Sequence, residues 1–248
     1  MKKYELTDET LKIGPVTLHR IKALAAFSDV NAGDLGGWIE KESNLDQEGN
    51  AWVYGDARVY GDARVYDNAW VYGNAWVYGD ACVSGDARVC GNAWVYGDAS
   101  VSGNACVSDN ARDYGNACVS GNACVCGNAR VYGNACVSGD ACVSGNACVY
   151  GNAWVSSRNH HLTIGPIGSR NDTITFTRNK KGGIFAAVGC FFGTLAEFRA
   201  KVSKTHGDNI HAQAYLLAAQ LAELRIDTTP ISDTQEEPTE GCEKGSAK

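Results

Sequence analysis

Side chains that often form binding surfaces recur at a fixed interval in the middle of this 248-residue chain. The tyrosines of one series are evenly spaced, at Tyr60, Tyr78, Tyr96, Tyr114, Tyr132 and Tyr150. Two positions before the first five of them stand Arg58, Trp76, Trp94, Arg112 and Arg130. Tyrosine, tryptophan and arginine are enriched in binding hot spots. We therefore expect these residues to form a binding or interface surface if the fold aligns them.

The number of cysteines could suggest metal or redox chemistry, but their spacing does not. Nine of the 11 cysteines lie between residues 51 and 155, and no two have the C-x-x-C spacing common in zinc and iron–sulfur sites. No secretion signal precedes them, so a disulfide framework is not expected. We predict reduced thiols, no metal site and no cofactor.

The histidines offer few candidates for catalysis, because all five lie outside residues 51–155. His160 and His161 directly follow that region and are candidates for a special site at a subunit boundary, with simple solvent exposure as the alternative. Cys190 could pair with His206 or His211 as nucleophile and base only if the fold brings them together. We interpret it instead as a buried cysteine beside Phe191 and Phe192. No catalytic residue is predicted.

A six-residue unit repeats without insertion or deletion from Ala51 to Val155, with an alanine at the first position and a valine at the third. The unit reads Ala-x-Val-y-Gly-Asn/Asp. Its alanine and valine are predicted to point inward and positions x and y outward, and Gly-Asn or Gly-Asp then tolerates a turn. Such fixed periodicity is typical of a solenoid. Asp113 is the single break in the valine column. We interpret it as a tolerated substitution, with a functional carboxylate as the alternative.

The repeat resembles the hexapeptide-repeat family of left-handed parallel β-helices, as in Val53-Tyr54-Gly55-Asp56-Ala57. The resemblance implies an all-β solenoid of about six left-handed triangular coils, each built from three of the six-residue units. The equivalent tyrosines would then stack as one column, and the Asn corners could exchange amide hydrogen bonds. Members of this family commonly form trimers. Some are acyltransferases that use a histidine, a loop outside the helix and a cleft between subunits.

The ends of the chain have a second resemblance. Phage and prophage proteins of this type have segments that are similar to three in this chain: Asp29–Ile39, Gly189–Thr194 and the following Thr205–Asn209. Such proteins are sometimes described as transferases from the fold alone, so the resemblance implies an origin and not an activity.

The flanks of the repeat are predicted to close the solenoid. We expect an N-terminal β cap and irregular first coil over residues 1–45, with strands at 2–6 and 15–27, and Ile39 and Leu45 continuing the spacing of Ala51. The repeats then occupy 46–156. Residues 157–226 should form a cap with a hairpin (Thr173–Thr177 with Ile184–Val188) and two helices, the first capped by Thr194 with Glu197 and the second by Asn209. The acidic stretch 227–248 is predicted to be disordered.

Charge and hydropathy exclude two classes of function. The net charge of −6 disfavours nucleic-acid binding, and no apolar run is long enough to span a membrane. The sequence predicts a cytoplasmic, non-enzymatic phage-related scaffold or binding protein, acting in the host cytoplasm. It would self-associate, as a trimer by family resemblance, or bind a small molecule or protein through its aromatic and arginine face. An acyltransferase, and a protein that captures a nucleotide or sugar on Trp76 or Trp94, are the alternatives.

Overall fold

Each six-residue unit forms one short strand and one turn, because its alanine and valine point into a narrow core. In the computed structural model, which describes residues 2–229, Ala93 and Val95 are fully buried, as are their equivalents along the repeat. The N-terminal region forms β1 (Tyr4–Ile13), β2 (Val16–Ala23) and β3 (Leu35–Ile39). The repeats form β4 (Trp52–Val53), β5 (Arg58–Val59), β6 (Arg64–Val65), β7 (Trp70–Val71), β8 (Trp76–Gly79), β9 (Cys82–Val83), β10 (Arg88–Val89), β11 (Trp94–Gly97), β12 (Ser100–Val101), β13 (Cys106–Val107), β14 (Arg112–Gly115), β15 (Cys118–Val119), β16 (Cys124–Val125), β17 (Arg130–Gly133), β18 (Cys136–Val137), β19 (Cys142–Val143), β20 (Cys148–Gly151) and β21 (Trp154–Val155).

Three parallel sheets form the sides of the solenoid. The tyrosine face contains β3-β5-β8-β11-β14-β17-β20, the serine face β6-β9-β12-β15-β18-β21, and the tryptophan–cysteine face β4-β7-β10-β13-β16-β19. Trp94 pairs with Trp76 and Tyr96 with Tyr78, so one turn contains three strands and three of the six-residue units, as predicted. The seven parallel strands of the tyrosine face correspond to about seven turns, the six regular coils and the irregular first one.

The turns stack because their residues can adopt a left-handed backbone. Gly97 has φ of 73°, and a Cβ atom there would lie 3.1 Å from the nitrogen of Gly115 in the next turn. In two units an aspartate replaces this glycine, and Asp67 and Asp109 have φ of 59° and 60°. The Asp109 carboxylate accepts a hydrogen bond from the Gly127 backbone nitrogen at 3.0 Å. In the corner after the tyrosine column, the Asn134 amide donates to the Asn152 oxygen at 3.3 Å, as predicted, and other corners show the same bond, for example from Asn128 to Asn146 at 3.1 Å.

The N-terminal hairpin closes the first turn and corrects one prediction. Strands β1 and β2 are antiparallel, and β2 joins the tyrosine face through β3. Ile39 and Leu45 pair with Val59 and Val65, so they occupy valine positions and do not continue the spacing of Ala51. The first turn is therefore longer than the others by two residues, which lie between Leu45 and Trp52.

These extra residues hold the hairpin in place. The Gln47 side-chain oxygen accepts hydrogen bonds from the backbone nitrogens of Lys3 and Tyr4, at 2.9 and 3.3 Å. The Lys3 ammonium also donates to the carbonyl oxygen of Ala51 at 3.0 Å. The longer first turn is thus explained by its contacts with β1.

The C-terminal cap is an antiparallel sheet packed against two helices. Its strands are β22 (His161–Ile167), β23 (Asp172–Arg178), β24 (Ile184–Val188) and β25 (Phe191–Thr194), followed by α1 (Leu195–His206) and α2 (Ile210–Arg225). The predicted hairpin is β23 with β24, whereas the outer strands β22 and β25 were not predicted. Both predicted helix caps are present, at Thr194 with Glu197 and at Asn209.

Strands β23 and β24 contact the last turn of the solenoid. The Cys148 backbone nitrogen donates to the Thr175 hydroxyl at 2.9 Å. The solenoid and the cap have separate hydrophobic cores, the second built around Phe176 and Phe198. Of the predicted acidic tail 227–248, residues 230–248 lie outside the described part of the chain. None of the described helices is long and apolar enough to cross a membrane.

Candidate functional site on the tyrosine face

The six predicted tyrosines form one continuous column. From Tyr60 to Tyr132 the ring centroids are 4.8–5.0 Å apart and the planes differ by 1–5°. Tyr132 and Tyr150 are 4.2 Å apart and tilted by 27°. This arrangement follows from the register, since the distance between adjacent strands is close to the stacking distance of aromatic rings. Each inner ring is half-buried because it stacks between two other tyrosines, one on each of its faces.

The neighbouring column is a cation–π stack. Trp76 and Trp94 stack with centroids 5.3 Å apart. The Arg58 guanidinium carbon lies 4.8 Å from the centre of the Trp76 ring, and that of Arg112 lies 5.2 Å from Trp94. The two indoles are therefore enclosed between two cations. A nucleotide base or sugar could stack on Trp76 or Trp94 only by displacing a guanidinium, which disfavours the alternative of ligand capture at these rings.

The phenols of Tyr60, Tyr78 and Tyr114 in the tyrosine column are uncharged at neutral pH. Burial, followed by the neighbouring Tyr60 and Tyr96, raises the pKa of Tyr78 to about 12. Burial also raises the pKa values of Tyr60 and Tyr114. The face therefore presents neutral phenol edges beside the arginine side chains, of which Arg112 and Arg130 are exposed. Such a surface can form hydrogen bonds and cation–π contacts with a flat partner.

Asp113 points into the solenoid core. It occupies a valine position between Val95 and Val131, it is fully buried, and neither carboxylate oxygen has a hydrogen-bond partner among the described residues. Burial raises its pKa well above the usual range, and the Cys118 thiol adds a smaller effect in the same direction. The side chain is therefore a neutral acid inside an apolar core and does not face the tyrosine surface.

His160 lies where the last turn meets the cap, and His161 follows it as the first residue of β22 and is partly buried. His160 is buried, and its Nε2 lies 2.7 Å from Nη1 of Arg178. The guanidinium can only donate to Nε2, and Nδ1 lies 3.1 Å from the Ser156 backbone nitrogen, which also donates, and 3.1 Å from the Ser156 hydroxyl. Burial, followed by Arg178, lowers the pKa of His160, and burial lowers that of His161. Both ring nitrogens of His160 are therefore already engaged in contacts with Ser156 and Arg178.

The remaining chemical candidates do not form a recognisable centre. Within residues 2–229 no group of three or more His, Cys, Asp or Glu side chains is placed to hold a metal ion. Cys190 is exposed and not buried beside Phe191 and Phe192 as predicted. His206 and His211 lie near each other, with ring centroids 6.1 Å apart, where α1 meets α2.

Two features outside the repeat were missed from the sequence. Phe192 in β25 contacts Tyr150 and ends the tyrosine column. Nothing in the repeat indicates this contact, because Phe192 belongs to the cap. The second feature is an exposed apolar stripe on α2, whose spacing was visible in the sequence: Ile210, Leu217, Leu221 and Leu224.

Fold and surface together define a parallel β-solenoid with a stacked aromatic face. A family model described as YdcK β-solenoid repeat matches residues 57–73, 63–79, 87–103, 124–139 and 129–144. The chain is also similar to the uncharacterized acetyltransferase YdcK of Escherichia coli (strain K12), with 42% identity over 60 residues. That similarity covers 21% of this chain and 18% of the relative. The repeats of this chain therefore match those of YdcK, and the similarity covers less than a fifth of that protein.

Proposed function

We propose that this protein is a non-enzymatic scaffold of the hexapeptide-repeat type, encoded by a phage or prophage, which self-associates in the cytoplasm through its tyrosine face. The observation that carries the proposal is the unbroken aromatic column beside exposed Arg112 and Arg130. Aromatic side chains already stacked on a flat, rigid sheet lose little conformational entropy on binding, which favours association. A trimer is the form that the family resemblance supports.

The α2 stripe supports self-association independently. Ile210, Leu217, Leu221 and Leu224 are 70%, 65%, 44% and 85% exposed, and their intervals of seven, four and three residues place them on one face of the helix, as in a coiled-coil seam. The same seam on a second copy would be complementary to it. Residues 230–248 are acidic and polar with Ile231 as their one large aliphatic residue, so they offer little apolar surface to cover it. A second copy of the chain is therefore the occupant that we propose.

Sedimentation of full-length variants tests the proposal and identifies the contact. Replacing both Trp94 and Tyr96 with serine should reduce the solution mass if the tyrosine face is the interface. Replacing both Leu217 and Leu224 with glutamine should reduce it if α2 is the interface. Circular dichroism of both variants checks that the solenoid is intact. A wild-type protein that is a monomer throughout the micromolar range would overturn the proposal, and an unchanged mass after the Trp94 and Tyr96 replacements would overturn the tyrosine face as the interface.

The name of the E. coli relative favours one alternative, an acyltransferase. Against this alternative, His160 Nε2 is bound by Arg178, and the sheets of the repeat are connected by the regular six-residue units without a longer loop. Calorimetric titration with acetyl-CoA separates the two functions. A saturable heat that is lost when His160 is replaced by glutamine would favour the enzyme, and no heat would favour the scaffold.

A further inference from the structure

A groove of about 930 Å³ lies at the N-terminal end of the tryptophan–cysteine face. Its aromatic wall is formed by Tyr54, Trp70 and Tyr72. Its polar wall is the adjacent corner column of Asn50, Asn68, Asp86 and Asn104. Ser28 and Asp29 of the N-terminal cap also line the groove. This surface is on a different side of the solenoid from the tyrosine face and has no part in the function proposed above.

The loop that carries Ser28 and Asp29 is held rigidly. Phe27 and Val30 form a pair of backbone hydrogen bonds of 3.0 and 2.9 Å, which makes Ser28 and Asp29 the two central residues of a tight turn. The Phe27 ring packs on the buried Trp52, with centroids 5.3 Å apart. The groove is therefore bounded by fixed backbone on both sides and needs little reorganisation to receive a ligand.

The polar wall presents hydrogen-bonding groups in a defined direction. The Asn50 amide nitrogen donates to the Asn68 oxygen at 2.9 Å, and the Asn68 nitrogen donates to an oxygen of Asp86 at 3.1 Å. Each amide nitrogen has a second hydrogen and the Asp86 carboxylate has a second oxygen, so the column offers both donors and acceptors to the groove. Hydroxyl groups, which both donate and accept, match such a wall.

The charges of the groove select against phosphate and other anions. Asp29 and Asp86 provide two carboxylates, whereas Arg88 is the one cation among its lining residues. The carboxylates also act on the phenol of Tyr54, whose pKa is raised first by burial and then by the negative charges of Asp29 and Asp34. A nucleotide or phosphorylated ligand would place like charges close together, whereas a neutral ligand would not.

We propose that this groove binds a neutral oligosaccharide. The apolar face of a sugar ring would pack against Trp70, whose ring is already supported by Tyr54 at 5.2 Å. The hydroxyl groups would bond to Asn68, Asp86 and Asp29. The volume is near the upper end of small-molecule sites, which suits more than one sugar ring.

Binding of the full-length protein to a glycan array, followed by calorimetry with the best neutral oligosaccharide, tests the assignment. Trp70→Ser should weaken binding by about tenfold or more, since a stacked ring is lost. The repeat accommodates a small residue here, because Cys106 occupies the same column. Trp154→Ser on the serine face is the matched control, with Ser100 in its column, and should leave the affinity unchanged.

Two further measurements complete the test. Asp86→Asn keeps the shape of the column and should weaken binding of the neutral saccharide, because a carboxylate accepts stronger hydrogen bonds than an amide. Trp70→Ser should leave the sedimentation mass unchanged, so failure of this site and failure of self-association are distinguishable. The proposal is overturned if the wild type binds only anionic glycans, binds none, or binds as well after Trp70→Ser.

Discussion

Tyr150 contacts Phe192 edge to face, with ring centroids 4.4 Å apart and planes at 73°. Tyr150 is the last member of the tyrosine column, and Phe192 belongs to β25 of the cap. The aromatic column and the cap are therefore connected directly. Because the Tyr150 ring also stacks on Tyr132, the contact ends the column with a ring edge and not with an open ring face.

This contact can be measured by a double-mutant cycle. Tyr150→Ala and Phe192→Ala should each lower the free energy of unfolding, and their coupling should be about 0.5–1.5 kcal/mol, the usual value for an aromatic pair. The same cycle between Tyr78 and Phe192 is the control and should show no coupling, because Tyr78 lies near the end of the column that is far from the cap. Additive effects of Tyr150→Ala and Phe192→Ala would mean that the cap does not stabilise the column.

Asp113→Val should stabilise the protein by about 2 kcal/mol or more at neutral pH, because it replaces a buried carboxyl without partners by the residue of the repeat. The folded-state pKa of Asp113 is raised above its usual 3.8, so wild-type stability falls as the pH rises above that value. The advantage of Asp113→Val should grow by up to about 1.4 kcal/mol per pH unit until the folded pKa is reached. Urea denaturation of both proteins at several pH values provides the measurement. A constant difference would show that the carboxyl has the same pKa in both states.

Gly97→Ala should destabilise the solenoid more than Gly145→Ala. Both glycines have positive φ, 73° and 67°, so both substitutions cost about 1–2 kcal/mol of backbone strain. Only at Gly97 would the new Cβ also meet the next turn, 3.1 Å from the Gly115 nitrogen, whereas the space around Gly145 is open. We expect about 1 kcal/mol of additional loss at Gly97 from this crowding. Equal melting temperatures for the two variants would show that adjacent turns separate at little cost.

The repeat made most of the solenoid predictable, because inward and outward positions follow from one six-residue pattern. The column from Tyr60 to Tyr150 is aligned as expected, since equivalent residues in successive turns of three units must be neighbours. The first turn was placed in the wrong register because its two additional residues serve the contact of Gln47 with Lys3 and Tyr4. Such a contact between distant segments has no signal in the local pattern.

The surroundings of individual side chains were less predictable than the fold. The enclosure of Trp76 and Trp94 between Arg58 and Arg112 depends on which copies carry arginine, and on rotamers that the sequence does not specify. Likewise, the burial of His160 depends on Arg178, which lies in a strand of the cap. The predicted interface role of the tyrosine face remains a prediction.

The contact between His160 and Arg178 should make stability depend on pH. The folded-state pKa of His160 is lowered below its usual 6.5 by burial and by Arg178, with Asp227 opposing and His161 adding to the effect. The unfolded state therefore binds more protons below about pH 6.5, and stability is lost as the pH falls. His160→Gln retains an acceptor for Arg178 without a titrating group, so its stability should fall less between about pH 7 and pH 5. His211→Gln on α2 is the control, because it leaves the His160–Arg178 contact intact, and its stability should depend on pH as that of the wild type does. Chemical denaturation of the three proteins across this pH range provides the measurement. If His160→Gln and wild type lose stability equally, His160 is accessible to protons in the folded state, and its exclusion as a catalytic base fails with it.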